Sequence, residues 1–513
     1  MVAAVPASRA VANPFPGCAP PPGTPGPMTV VVGTVACQEL ASQSLGAGVA
    51  APFEYYVPPG CAPAQAVTCP VLYLLHGFGG DFTEMLGRPG TTSSAWIAAL
   101  THRPPAGFES SPWTYQDPST WGPAPPLDII LVAPHGQTLP GGYGPGAGQD
   151  SYWVNWNPRY GKGGDAPRYP TPPPRFETFL NDELPAFVER ELPTAAGRPW
   201  RALAGVSLGG YGAYKNGLQH PDDWTAIESV SGAHNFLFAP APQPGFVTVP
   251  AGVQPPVPVA YERLPAVTGA VTPAAAPPQI GTFLTALDAL GDPVADQAYF
   301  RGNMPPDLAM NGRANAGPAQ LLGIDGFVND TIPRQAADIS STPFEDIVFP
   351  MNVDMEEAYV AEGVANTFAI HQGNHSDVYR NAWFRGLEEF AYARLAHPGG
   401  RPAPAATPTR FDYRSIDTDF DIWGWKFHVD RQPVEFLTLR SVTCDGLTLQ
   451  GTGTVTFTVP ARCGTGRAAS ATVTVDLGPA QATDDPAALG ATPAYGRTVT
   501  ASLTRLPRRP RGT

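Results

Sequence analysis

The chain has 513 residues, of which 43% are hydrophobic, enough for two or three domains each with its own core. A formal net charge of −13 disfavours nucleic acid as a partner, and no apolar run reaches the roughly 18 residues needed to span a bilayer. With 63 prolines and 55 glycines, the composition predicts many ordered loops and some linkers, just short of low complexity.

Residues 1–27 are Pro/Gly-rich and read as an extended segment. Met1 to Ala12 carries Arg9 and Ala10-Val-Ala12 but no apolar core of signal-peptide length, so a remnant of a secretion signal is one reading of it. Strand-like runs follow at 29–35 and 52–57. Val71 to Leu75 is continuously apolar, as expected of a central parallel strand, and breaks into the turn His76-Gly-Phe-Gly-Gly80. A helix is expected at 92–100 and a buried strand at 127–133. Two aromatic loops flank that strand, one with Trp113, Tyr115 and Trp121, the other with Tyr143, Tyr152, Trp153 and Trp156. They suit stacking on rings or walling an acyl channel, and suit ordinary packing equally.

Residues 175–192 repeat apolar positions with helical period, from Phe176 to Leu192. Trp200 to Val206 then reads as a short buried strand. Gly205-Val-Ser207-Leu-Gly209 follows, and a helical run continues to His220 before Pro221. Strand, G-x-S-x-G, helix is the pattern of a nucleophile elbow. A serine hydroxyl is a poor nucleophile, so it must stand on a sharp turn within reach of a histidine. Such a turn strains the backbone, and flanking glycines let neighbouring elements come close.

Further strands are expected at 226–230, 319–326 and 367–371, and helices at 353–362 and 377–396. Residues 236–281 are Pro/Ala-rich without periodicity. Strands alternating with helices predict an α/β architecture, a doubly wound, mostly parallel sheet covered on both faces. Residues 398–408 form a linker by composition. After it the period changes to two, with strands at 420–429, 434–442, 454–459, 471–477 and 498–503. That spacing predicts a small all-β, sandwich-like unit. The division is therefore an N-terminal segment 1–27, a catalytic domain 28–397, a linker 398–408 and a C-terminal domain 409–513.

A working serine needs a base, an orienting acid and an oxyanion hole, in the chain order Ser, acid, His at the carboxyl ends of strands. His375, in Gln372-Gly-Asn-His375-Ser-Asp, falls after the last strand and is the expected base. Asp330 lies just past a strand end and is the expected acid, with Glu345, further along the same loop, as the alternative. The oxyanion hole is assigned to the backbone N–H groups of Phe78 and Leu208. His76 is expected to pack the turn, without a catalytic role.

Six cysteines fall as local pairs, Cys18 with Cys37, Cys61 with Cys69 and Cys444 with Cys463. Their even count in Pro-rich loops and between strands predicts disulfides and an oxidising, extracellular setting. No C-x-x-C or Cys/His pattern supports a metal, and no cofactor is expected.

Leu74-Leu-His-Gly-Phe-Gly-Gly80, Phe176-Glu-Thr-Phe-Leu-Asn-Asp-Glu-Leu-Pro185, Ala204-Gly-Val-Ser-Leu-Gly-Gly-Tyr-Gly-Ala213 and Gly373-Asn-His-Ser376 resemble the esterase family that contains esterase D, feruloyl and acetyl-xylan esterases and the secreted mycolyltransferase antigens. The resemblance covers residues 29–396 and implies the α/β-hydrolase fold and acyl-ester chemistry through an acyl-serine. In that family the mycolyltransferases' acid is a glutamate matching Glu345, and the hydrolases' aspartate matches Asp330. The elbow reads Ser207-Leu-Gly-Gly where the mycolyltransferases have Ser-Met-Ala-Gly, a departure that bears on transfer to trehalose. The expectation is a secreted serine carboxylesterase acting on a small-molecule or polymer-linked ester. The alternatives are a mycolyltransferase-like acyltransferase, or a non-catalytic surface or carbohydrate-binding protein whose C-terminal domain contacts cell wall or polysaccharide. A serine peptidase of the same fold ranks lower, since the propeller or cap such enzymes usually carry is missing.

Overall fold

The computed structural model describes residues 18–19, 28–46, 49–65, 67–78, 80–103, 122–138, 149–158, 173–236, 289–290, 297–314, 321–328, 342–372, 407–431, 434–463, 471–479 and 497–503, with the backbone alone at 103, 138, 149–150, 297, 321, 325–328, 342–347 and 371–372. Nine strands form the larger sheet: Cys18–Ala19 (β1), Val35–Ser42 (β2), Val49–Tyr56 (β3), Val71–Leu75 (β4), Ile130–Pro134 (β5), Arg201–Val206 (β6), Ala226–Val230 (β7), Leu321–Val328 (β8) and Thr367–Gln372 (β9). Their order is β1-β2-β3-β5-β4-β6-β7-β8-β9. From β5 to β9 every neighbouring pair is parallel, and β3 runs antiparallel to β2 and β5. This is the α/β-hydrolase sheet that the alternation of apolar runs and helical periods implies.

The central strands are apolar throughout because both faces are covered. On one face Val71, Tyr73 and Leu75 pack with Phe176, Leu180 and Tyr214. On the other, Leu72 and Leu74 pack with Phe82, Met85 and Trp96.

Several elements differ from expectation. The first long strand is Val35–Ser42, not 29–35, because its hairpin register with β3 runs from Val35↔Tyr56 to Ser42↔Val49. Gly33, at φ 80°, breaks the chain just before it. The helix at 175–192 is three pieces, Phe176–Thr178, a π-turn at Phe179–Glu183, and Leu184–Glu191. Pro185 lacks the N–H that a regular ladder needs, which accounts for the π-turn immediately before it. The helix expected from 353 begins at Thr342 and runs to Glu362 with Pro350 inside it. Glu345 therefore sits on the first turns of a helix and not on a long loop. The expected helix 377–396, most of the 236–281 segment and the first aromatic loop lie outside the described residues.

The C-terminal region is all-β, in two four-stranded antiparallel sheets. One holds Phe411–Ser415 (β10), Leu437–Thr443 (β13), Gly446–Gly451 (β14) and Arg497–Ser502 (β17); the other holds Asp419–Ile422 (β11), Trp425–Asp430 (β12), Thr454–Thr458 (β15) and Thr472–Asp476 (β16). The run 420–429 is thus two strands joined at Trp423-Gly424, whose φ values of 50° and 77° give the twist a tight hairpin needs. Period-two reading missed β10 and β14. Trp425, Phe427, Phe457 and Leu449 fill the core between the sheets.

This region is fastened to the larger sheet's helices through buried polar groups. Tyr413 Oη donates to the Gln219 carbonyl at 2.8 Å, Gln219 Nε2 to Asp417 Oδ2 at 2.5 Å, and the Trp423 N–H to Asp222 Oδ2 at 2.7 Å. Asn311 holds the Arg414 backbone at both ends, accepting its N–H at 2.7 Å and donating to its carbonyl at 3.0 Å. The three expected disulfides, Cys18–Cys37, Cys61–Cys69 and Cys444–Cys463, are all formed.

Candidate active site

Ser207 stands between β6 and the helix Leu208–Gln219, at φ 56° and ψ −120°. A left-handed φ on a residue with a side chain costs on the order of 1–3 kcal/mol and persists only where the surroundings hold it. Here the Ser207 N–H donates to Val230 O at 2.9 Å, and its carbonyl accepts from Tyr211 at 3.0 Å and Ala233 at 3.3 Å. The turn can be this tight because Gly209 has no side chain. A Cβ there would lie 2.0 Å from the Leu75 carbonyl oxygen.

The register brings the oxyanion candidates to the same edge. Gly205 on β6 pairs with Leu75 on β4, so Ser207 and the turn after Leu75 leave the sheet from adjacent strands. Leu208 opens the elbow helix, and its N–H is one of the donors a helix N-terminus leaves unsatisfied. Phe78, on the neighbouring turn, packs partly buried against a cluster that includes Leu208, Tyr152, Tyr211 and Phe236.

His76 ties this turn to its neighbour, as expected of a packing residue. The Gly136 N–H donates to its Nε2 at 2.9 Å, which leaves Nδ1 to donate to the Gly77 carbonyl, also at 2.9 Å. Burial lowers its pKa to about 4, so the imidazole is a neutral strut at ordinary pH.

In the sequence Tyr152 and Trp153 stand out only as aromatic loop residues and Ser231 not at all, yet among the described residues these and Ser207 are the non-glycine positive-φ positions outside the C-terminal sheets. Tyr152, Trp153 and Trp156 are each at most 3% exposed, which favours packing over ring stacking on a ligand at these positions. Trp153 wedges between the strand-end turn and the elbow helix: a Cβ on Gly136 would lie 2.3 Å from its ring, and one on Gly212, 2.4 Å. Its carbonyl accepts from Asn216 Nδ2 at 2.9 Å.

Beneath the elbow lies a charge cluster to which the sequence reading assigned no role. Lys215, on the elbow helix and fully buried, ion-pairs with Glu177, and His220 Nε2 meets Glu177 Oε1 at 2.9 Å. Burial acts to raise the Glu177 pKa, but Lys215 and His220 outweigh it and hold the carboxyl down at about 2. Burial likewise opposes charge on His220, and Glu177 reverses the sign, raising its pKa. The signal in the sequence is a lysine inside an otherwise uncharged twelve-residue helix that is buried at every position.

Ser207, Leu208 and Phe78 are thus brought together. Asp330 and His375 lie outside the described residues. The strands that lead to them, β8 and β9, are adjacent and parallel, with Val328 opposite Gln372. Glu345 is placed by its helical backbone alone. Among the described residues no His, Cys, Asp and Glu grouping suits a metal ion, and no helix is long and apolar enough to cross a membrane.

Residues 145–258 match the family model described as "Putative esterase", a stretch that includes the elbow. The family resemblance therefore holds. The chain is of the esterase type, a hydrolase or an acyltransferase. No curated protein matches it. Solved structures similar to it include a ferulic acid esterase, at 16% identity and a TM-score of 0.41 over 69% of this chain and 96% of that one. An S-formylglutathione hydrolase from Agrobacterium tumefaciens is similar at 15% identity and a TM-score of 0.43, over 72% and 98%. Mycobacterium tuberculosis MPT51 is similar at 17% identity and a TM-score of 0.39, over 69% and 97%.

Proposed function

We propose that the protein is a secreted serine carboxylesterase that works through an acyl-serine on Ser207. The observation that carries this reading is the strained Ser207, held between β6 and a helix N-terminus beside the turn of Phe78. In the proposed cycle Ser207 Oγ attacks the ester carbonyl carbon while His375 takes the hydroxyl proton. The carbonyl oxygen becomes an oxyanion and accepts from the Leu208 and Phe78 N–H groups. The tetrahedral adduct collapses, the C–O bond to the alcohol breaks, and His375 returns the proton to the departing alkoxide. A water then gives its proton to His375 and attacks the acyl carbon, releasing the acid and restoring Ser207. If an acceptor alcohol replaces water, the same steps transfer the acyl group. Asp330 is assigned as the carboxylate that orients His375, with Glu345 as the alternative. Three disulfides support an oxidising compartment.

Labelling with a fluorophosphonate tests the assignment. Ser207 should be the modified residue, and Ser207→Ala should abolish both labelling and hydrolysis of p-nitrophenyl esters. A folded, unlabelled wild-type chain would favour the non-catalytic reading. A series of acyl chain lengths, run beside feruloyl and acetyl-xylan substrates, identifies the ester.

A further inference from the structure

The junction between the two regions holds a cleft of about 430 Å³ whose lining includes Arg313, Arg410 and Arg440, together with Asp412 and Ser441. Three guanidinium groups converge there from separate parts of a chain whose net charge is −13. Arg313 follows the helical turn Ala309–Gly312, Arg410 precedes β10, and Arg440 lies on β13.

Their existing partners do not use up this charge. Asp412 Oδ2 meets Arg313 Nη1 at 3.4 Å, and Glu362 approaches the same nitrogen at 4.0 Å. The other oxygen of Asp412 accepts the Ser441 N–H at 2.6 Å. Arg410 donates to the neutral Ser441 hydroxyl at 2.5 Å. Among the described residues no carboxylate pairs with Arg410 or Arg440. Both acids therefore lie against Arg313, and Arg410 and Arg440 are left without a carboxylate partner in a group of three guanidinium and two carboxylate charges.

The backbone around the cleft is bent to make it. Ser441 has φ 53°, and the pairing of β13 is irregular on both sides, between Phe411 and Tyr413 on β10 and between Arg440 and Thr443 on β13 itself. Bulges re-aim side chains, and strained residues gather where a ligand is clamped. Clefts at the junction of two domains are common ligand sites, and the planar guanidinium fork matches tetrahedral oxyanions in two-point contact.

We infer that this cleft binds a tetrahedral oxyanion, the phosphate or sulfate group of a ligand, with the guanidinium groups of Arg410 and Arg440 supplying the contacts. It is distinct from the serine site. Arg313 lies beside the far end of the elbow helix, whose twelve residues extend roughly 18 Å from Ser207.

Titration calorimetry of the full chain with inorganic phosphate, sulfate and glucuronate at slightly alkaline pH tests this. Phosphate and sulfate should bind and the monoanionic glucuronate should bind more weakly. Their relative affinity identifies which ester the natural ligand carries. Arg440→Ala and Arg410→Ala should each weaken binding at least ~10-fold, the loss of a charge-assisted contact. Arg440→Lys, which keeps charge but loses the fork, should fall between. Lys426→Ala, an exposed cation elsewhere on the C-terminal region, should change nothing. Absence of binding by either dianion, tighter binding of glucuronate, or equal affinities in wild type and Arg440→Ala would each overturn the inference. Ester hydrolysis does not enter the readout, so the outcome leaves the serine assignment untouched.

Discussion

Strand β4 of the large sheet is buried at all five residues, whereas β12 of the C-terminal region alternates buried and exposed from Trp425 to Asp430. The difference follows from coverage. A sheet packed on both faces can lose solvent contact entirely, and its strand ends become a rigid platform where strain is held. A sandwich keeps one face of each sheet in water and spends its apolar residues on the inner face. Four non-glycine positive-φ residues, Tyr152, Trp153, Ser207 and Ser231, lie in the first region, against Trp423 and Ser441 in the second. The second presents charge and bulges at its junction with the first.

The sharpest way to break that contrast is at the platform. Ser207→Ala should lower ester hydrolysis by at least ~10³-fold with the fold retained, as removal of other triad nucleophiles does. Retention of more than a small fraction of activity, measured against a p-nitrophenyl ester, sinks the assignment. The acid comes next. Asp330→Asn should cost on the order of 10²-fold or more in kcat and Glu345→Gln little; the reverse result moves the role to the helix Thr342–Glu362.

The charge cluster under the elbow sharpens the contrast by stability. Glu177→Gln leaves Lys215 buried without its anion, which should cost about 3–5 kcal/mol in urea unfolding. The Glu177 carboxyl is held at about 2, below its ordinary value of 4.5. The unfolded chain thus binds the extra proton first, so stability rises with pH across that window. The contribution should be complete above about pH 4.5 and lost as pH falls toward 2. Glu177→Gln should flatten that acid limb.

The smallest expected effect is at the junction. Tyr413→Phe removes the hydroxyl that meets the Gln219 carbonyl at 2.8 Å and should lower stability by ~1 kcal/mol. The kcat/KM for a small ester should not move. A marked fall in kcat would show that the C-terminal region shapes the serine site from the far end of its helix.

Much of the site was legible because its signals are local. Gly205, Ser207 and Gly209 report a turn that needs only neighbouring residues to be recognised, and the buried strand before it is read from five successive apolar positions. The cysteine pairs were legible as an even count of neighbours along the chain, 8 or 19 residues apart. The helix containing Glu345 was misread because Pro350 looks like a terminator, while tertiary packing of Val348, Met351 and Met355 carries the helix through it. Val30, Val31 and Val32 look like a strand by propensity, yet the hairpin register moved pairing to Val35–Ser42.

By itself, then, the sequence determined the alternation of buried strands and helices, the elbow and the change to period two near the C-terminus, all read from patterns within a few residues, and the disulfide pairs, read from cysteines at most 19 residues apart. Only the tertiary structure decided that Trp153 would wedge against Gly136 and Gly212, that Lys215 would meet Glu177 beneath the elbow, and that Arg313 would join Arg410 and Arg440 in one cleft. Those meetings depend on sheet order and on how the sandwich docks, and nothing in local spacing encodes distances between segments so far apart along the chain.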